Sequence, residues 1–434
     1  MKVAFATLGC RVNQYETEAM TEKFIREGYS ITEFDDFADV YVINTCTVTN
    51  MGDKKSRQII GRARRTNEEA IIAVVGCYSQ ISPDEVSKIE GVDVVLGTRN
   101  KGDIVYYVNK ARDENVIQVN VQEVLKNKEF EELNIEEYQD KTRAFLKIQD
   151  GCNRFCTYCL IPYARGATCS KKPEKVLEEI TKLSEHGFKE IILSGIHTAS
   201  YGVDLGAEVT LVSLLEKIEK VDGIERVRIG SIEPGFFTVE VVNKIKSMKK
   251  LCPHFHLSLQ SGSDGTLKRM NRKYTASEYA ETVEILRNNI KDVSITTDVI
   301  VGFPGETEEE FNETYEFLKK VKLTKTHLFK YSPRKGTKAA EMKNQIDGTT
   351  KDNRSKVLAE LNQKNEAEFI KNLLKRDMDV LMEQECPNRP GVFEGYTRNY
   401  VKAEILNANK EMIGKIINCH IEEEKQEYII GRVN

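Results

Sequence analysis

The feature that most narrows the fold is an alternation. Short, almost wholly apolar runs recur along the chain, and each is followed by a polar segment with helical spacing. KVAFATLG precedes NQYETEAMTEKFIREG, and DVYVINT precedes a basic segment through KKSRQIIGRARR. IIAVVG precedes SPDEVSKIE, where Ser82 is expected to cap a short helix and Pro83 to open it. VDVVLG makes a fourth strand. Strands this apolar, separated by helices, are buried on both faces of a parallel sheet. Residues 1–112 are therefore predicted to form a doubly wound α/β domain.

Residues 113–137 change character. KNKEFEELNIEEYQDK is charged and aperiodic and reads as a linker. From 138 to 368 the alternation resumes with RAFLKIQD, KEIILSG, RVRIGSI, HFHLSLQ, VSITTDVIVG and KTHLFKYS as strands. Six strand–helix units predict an open (β/α)6 partial TIM barrel, with its active edge at the carboxyl ends of the strands. Residues 371–434 switch to strand patterns punctuated by Gly and Asn, which predicts a small antiparallel β-barrel.

The chain of 434 residues holds ten cysteines. It begins with no signal-peptide pattern, and no run reaches the roughly 18 apolar residues of a membrane span. A cytoplasmic location is expected, with no membrane contact, and there thiols stay reduced and point to metal or catalysis rather than disulfides. The net charge of −4 leaves nucleic-acid binding to local basic patches.

Cys152, Cys156 and Cys159 form C-x3-C-x2-C directly after the first barrel strand. Soft thiolates suit iron–sulfur clusters or zinc. Zinc normally takes four ligands, whereas three thiols on a 4Fe-4S cube leave one iron open for a substrate. Cys169, ten residues on in RGATCSKKP, is the nearest fourth thiol and reads as a turn residue. Cys10, Cys46 and Cys77 each follow the end of a predicted strand in the first domain. In a parallel sheet those ends share one edge, so three thiols can converge there on a second open-iron cluster. Gly9 and Gly76 precede two of them and let the backbone approach a bulky ligand.

The C-x3-C-x2-C loop on a six-unit barrel resembles the radical S-adenosylmethionine superfamily. The segments TLGCRVNQYETE, NTCTVT and VVGCYSQ, with DGCNRFCTYCLIPYARG, resemble the methylthiotransferase family over essentially the whole chain. The resemblance implies an auxiliary 4Fe-4S cluster on Cys10, Cys46 and Cys77, a second 4Fe-4S cluster on Cys152, Cys156 and Cys159, and a C-terminal TRAM domain. It implies conversion of a C–H into C–S–CH3 with two molecules of S-adenosyl-L-methionine. An adenine C2–H has no useful acidity, so the cofactor must supply that step. Ser194, Gly195, Ser231, Glu233, Gln260, Asp298 and Gly302 end barrel strands and are expected at the S-adenosylmethionine site. Arg165 and Arg272 are expected to contact a carboxylate or RNA. His197 and His256 are read as structural.

GCRVNQYETE resembles the type that acts on N6-threonylcarbamoyladenosine at tRNA position 37. The isopentenyladenosine type looks more like GCQMNEYDSE, and the type acting on a ribosomal-protein aspartate like GCPKN. The rival of another class is a non-catalytic RNA-binding protein with a structural metal. Lys54, Lys55, Arg57, Arg62, Arg64 and Arg65 fall in one acid-free run, Lys268, Arg269, Arg272 and Lys273 in another, and Lys330, Arg334, Lys335 and Lys338 in a third. These favour a phosphate backbone, which the resemblance implies is that of a tRNA anticodon loop. In the C-terminal barrel, Arg398, Tyr400 and Lys402 are the expected RNA face. A flavodoxin or ferredoxin is the expected electron donor.

Overall fold

The computed structural model describes all residues except 48, 49, 127, 134, 136–141 and 388. Part of the NTCTVT motif and the expected 137/138 domain boundary lie outside the described residues. The first domain is one parallel sheet of β1 (Lys2–Thr7), β2 (Ser30–Thr32), β3 (Val40–Thr45), β4 (Ile71–Gly76), β5 (Val94–Leu96) and β6 (Gln118–Asn120). The spatial order is β2-β1-β3-β4-β5-β6. Every residue of β3 is buried, because the sheet has a hydrophobic core on each face. Val3, Val42, Val75 and Leu96 fill one core, and Ile43, Ile72, Val74 and Tyr78 the other.

Three local expectations change. The sheet gains two strands over the expected four, β2 and, inside the expected linker, β6. Leu133 and Ile135, also from that stretch, are buried in the barrel core. Charge masked this because the two buried apolar residues sit among acidic neighbours. The Ser82 side chain makes no capping hydrogen bond, although Pro83 does open the helix Pro83–Val86.

The second domain carries β7 (Arg143–Lys147), the short β8 (Gln149–Asp150) and β9 (Cys169–Ser170), then β10 (Glu190–Ser194), β11 (Arg226–Ile229), β12 (His254–His256), β13 (Ser294–Val301) and β14 (Lys325–Lys330). β7, β10 and β11 form one parallel sheet and β12, β13 and β14 another. Parallel bridges Val227–Leu251 and Ile232–Leu257 join them. The six long strands thus follow chain order as a partial barrel, open between β7 and β14. The helix Gly348–Lys371 packs on β14 and runs past the expected boundary at 368, so that Ile370 enters the third core.

The third domain closes β15 (Asp377–Glu385), β16 (Val392–Thr397), β17 (Lys402–Leu406), β18 (Ile416–Glu424) and β19 (Tyr428–Val433) into a barrel. Four pairings are antiparallel, but β17 and β19 are parallel, which corrects the purely antiparallel expectation. This barrel sits against the amino-terminal mouth of the larger one. Tyr400, held at φ +68°, stacks on Tyr396 and lies 4.3 Å from the Arg228 guanidinium. Arg398 donates to the Leu251 carbonyl and Lys402 pairs with Glu394. The expected RNA face of this domain is therefore largely turned onto the barrel or spent within its own sheet.

Candidate functional site

β1, β3 and β4 are neighbours, with Thr7 opposite Asn44 and Thr45 opposite Gly76. Cys10, Cys46 and Cys77 leave these strands at one edge. Gly9 has φ +103°, and a Cβ there would lie 2.8 Å from the Cys46 Cβ and 3.0 Å from its Sγ. The missing side chain is what lets the first two cysteine loops meet. Cys10 caps the helix Arg11–Arg26, whose positive end favours an anionic ligand. Asn13 locks the edge by donating to the carbonyls of Leu8 at 2.7 Å and Thr45 at 3.0 Å. Burial pushes the Cys77 thiol up, against the pull of Arg165 and Lys101.

Cys152, Cys156 and Cys159 are half-buried in the loop after β8. Each sulfur receives one N–H. Arg154 N donates to Cys152 at 3.5 Å, Ile161 N to Cys159 at 3.4 Å and Arg272 Nη1 to Cys156 at 3.4 Å. Burial pushes the Cys159 thiol up to about 12. Asn271 fixes the loop by donating to the carbonyl of Phe155, which has φ +47°. Among the described residues, no three His, Cys, Asp or Glu groups are close enough for one ion. A four-iron cube needs a wider cage, and soft sulfurs each supplied with an N–H suit it.

Glu233 ties this loop to the strand ends. It pairs with Arg154 at 2.6 Å, His197 at 3.1 Å and Arg272 at 3.4 Å. Burial would raise its carboxyl, but His197, Arg272 and Arg154 hold it below its usual value. Gly195 leaves room for the Gln149 amide, whose Oε1 accepts from His197 N at 2.7 Å. Ser194 is buried and Ser231 exposed. Gly302 N donates to Glu306 at 2.7 Å, and its φ of +69° faces the Lys351 stem.

A cavity of about 250 Å³ opens where the two domains meet. Thr47 lines it from the first domain, and Tyr158, Cys159, Gln260, Asp298 and Phe329 from the barrel. Gln260 holds φ +71° so that its N–H and carbonyl both pair with β13. Asp298 lies 3.2 Å from His256. The structure therefore brings Gln260 and Asp298 together with Cys159, one residue-step from Cys46.

Arg165 lies elsewhere than expected. It is wholly buried, donating to Glu16, Asp150 and Asn13. Arg272 serves Cys156 and Glu233. Of the basic residues, Arg57, Arg62 and Arg64 pair with Glu85, Asp35 and Asp93. Arg334 is buried on Asp53 and Thr47 at 2.6 Å each. Lys54, Lys55, Arg65 and Lys335 are exposed. Asn13 and Thr47 escaped the sequence reading. Their one signal was proximity to Cys10 and Cys46.

The model described as Radical SAM superfamily matches residues 146–318, and that described as Uncharacterized protein family UPF0004 matches residues 2–97. Threonylcarbamoyladenosine tRNA methylthiotransferase MtaB of Bacillus subtilis (strain 168) is 44% identical, over 96% of this chain and 93% of that protein. The protein of that name from Aquifex aeolicus (strain VF5) is 42% identical, over 97% of this chain and all of its own length. The chain belongs to the methylthiotransferase family of radical SAM proteins. A tRNA-2-methylthio-N(6)-dimethylallyladenosine synthase of Clostridium tetani (strain Massachusetts / E88) is 37% identical over 96% of the chain and 92% of its own length. Among solved structures, the radical S-adenosylmethionine methyltransferase TsrM from Kitasatospora setae shares the fold. Its TM-score is 0.57 at 14% identity, over 78% of this chain and 74% of that one. Membership of the superfamily brings S-adenosylmethionine and a 4Fe-4S cluster. No described helix is long and apolar enough to cross a membrane.

Proposed function

We infer that this chain is a tRNA methylthiotransferase that places a methylthio group at C2 of N6-threonylcarbamoyladenosine. The observation that carries the reading is a cavity lined by Cys159 from the barrel and by Thr47, the residue after Cys46, from the first domain. The relatives at 42–44% identity support the substrate. When bound, a 4Fe-4S cluster with S-adenosylmethionine supplies the hydrogen-abstracting radical. Cys10, Cys46 and Cys77 are assigned to a second cluster that carries the sulfur.

The chain's own residues orient the reactants and exclude water. Gln260 and Asp298 face the cavity. Together with Ser194, Gly195, Ser231, Glu233 and Gly302 they are assigned to the S-adenosylmethionine edge. Lys54, Lys55, Arg65 and Lys335 remain free to meet the phosphates of the anticodon loop. The partner supplying electrons is assigned to the flavodoxin or ferredoxin class. A tRNA substrate places the protein in the cytoplasm.

Mass spectrometry of tRNA nucleosides from a deletion strain tests the reading. Loss of the methylthio-threonylcarbamoyl nucleoside, restored by the gene, supports it. Loss of the methylthio-isopentenyl form instead would assign the other substrate. Unchanged nucleosides would overturn both.

A further inference from the structure

Arg11 follows Cys10 and leaves the first domain across the open side of the barrel. Its guanidinium lies 5.5 Å from the ring centroid of Phe145 on β7 and 5.9 Å from that of Tyr400. One Nη donates to the Tyr400 hydroxyl at 3.1 Å. The other edge strand contributes His327, whose ring is 5.7 Å from that of His256. The ring of His254 lies 4.7 Å from that of Tyr400, beside the same contact.

The neighbouring cations differ from Arg11 in one respect. Arg226 and Arg228 share Glu190, and Arg143 pairs with Glu383 at 2.6 Å. Among the described residues, no carboxylate is given to Arg11. Its single hydrogen bond goes to a neutral phenol, and it is only half-buried. A guanidinium offers five N–H donors in a planar fork that matches a carboxylate. The barrel interior also carries His327 beside His256, and His256 lies 3.2 Å from Asp298, which lines the interdomain cavity. That interior thus holds an uncommitted cation between aromatic rings, next in sequence to a cysteine of the sulfur-bearing set.

We propose that Arg11 is a specificity-determining residue that binds the carboxylate of the substrate's threonyl group. This rests on the function proposed above. Of the two adenosine substrates that compete for that reading, only the threonylcarbamoyl one carries an anion on its side chain. A charge-assisted pair in a half-buried lumen would hold it, whereas an isopentenyl chain would leave the cation unpaired. Phe145 and Tyr400 then flank the threonyl group, and the Tyr400 hydroxyl keeps the guanidinium in place.

The test uses holoenzyme with both clusters reconstituted and an anticodon stem-loop bearing threonylcarbamoyladenosine. A second stem-loop carries the same nucleoside with its carboxylate converted to the primary amide. The wild-type enzyme should prefer the carboxylate by at least about tenfold in kcat/KM, the low end for a charge-assisted contact. Equal use of acid and amide by the wild type overturns the proposal without any variant. Arg11→Met should bring the ratio to about one with iron content unchanged. Arg11→Lys should keep part of the preference. A preference undiminished in Arg11→Met, or equally undiminished in Arg11→Gln where the Met variant loses iron, also overturns it. Failure of the wild type on both stem-loops, with turnover of an isopentenyladenosine one, would instead sink the proposed function.

Discussion

Glu16 and Arg165 form an ion pair at 2.9 Å across the boundary between the sheet domain and the barrel, with both side chains wholly enclosed. Lys147 reaches the same carboxylate at 2.9 Å, Lys101 also pairs with it, and Asp150 completes the cluster. Arg165 follows the Cys152–Cys159 loop in sequence, and Glu16 lies on the helix that Cys10 caps. The ionic cluster thus fixes one cysteine set relative to the other. Removing one member leaves buried charge without a partner. Glu16→Gln should lower unfolding stability by about 3–5 kcal/mol, read from the urea midpoint. An unchanged midpoint would show that the pair contributes nothing.

The same cluster sets an acid limit. Burial would raise the Glu16 carboxyl, but Arg165, Lys101 and Lys147 hold it well below the usual range. Asp150 is likewise buried yet lowered, by Lys147, Arg165 and Arg99. The folded state therefore binds fewer protons than the unfolded chain. The contribution is complete above the unfolded carboxylate values of about 4, and is lost as pH falls through the lowered folded ones. Thermal melts should show stability falling on acidification below about pH 4, with a shallower fall in Glu16→Gln.

Gly9 tests the convergence of the second cysteine set. A methyl group there meets Cys46 at 2.8 Å on a backbone with φ +103°. Gly9→Ala should drop iron from about eight to about four per reconstituted chain, because only the barrel loop would still load a four-iron cluster. Retention of the full iron complement would refute the geometry.

Arg272 supplies the N–H to Cys156 from a guanidinium. Burial opposes its charge, but Tyr274, Tyr158, Cys156 and Glu233 keep it protonated. Arg272→Met removes a donor and a positive charge beside the sulfur. Potentiometric titration of the loaded barrel cluster should give a more negative midpoint. A midpoint equal to wild type would mean that the contact does not reach the cluster.

Much of this was legible from the chain. β3 and β4 announce themselves because parallel strands buried on both faces are nearly all apolar, whereas barrel strands such as β11 (RVRI) and β12 (HFH) carry polar residues at alternate positions. The placement of Cys10, Cys46 and Cys77 at one sheet edge was readable because each follows one of three adjacent parallel strands. What escaped were features set by tertiary pairing. β6 is three residues long, QVN, and only its place at the sheet edge makes it a strand. Arg165 and Arg334 look like surface cations in sequence, and only partners more than a hundred residues away, Glu16 and Asp53, bury them. Tyr400 could not be told from an RNA-stacking aromatic until its strained loop was seen facing Arg228.

That loop bears on how the molecule is made. Translation delivers the cysteine-bearing loops early and Tyr400 much later, yet Tyr400 stoppers the amino-terminal mouth of the barrel. Until it arrives, Arg11 lacks its hydrogen-bond partner and that mouth is uncovered. A nascent chain thus has its thiols in place before its chamber can be sealed. That mouth closes only when the third domain folds against it.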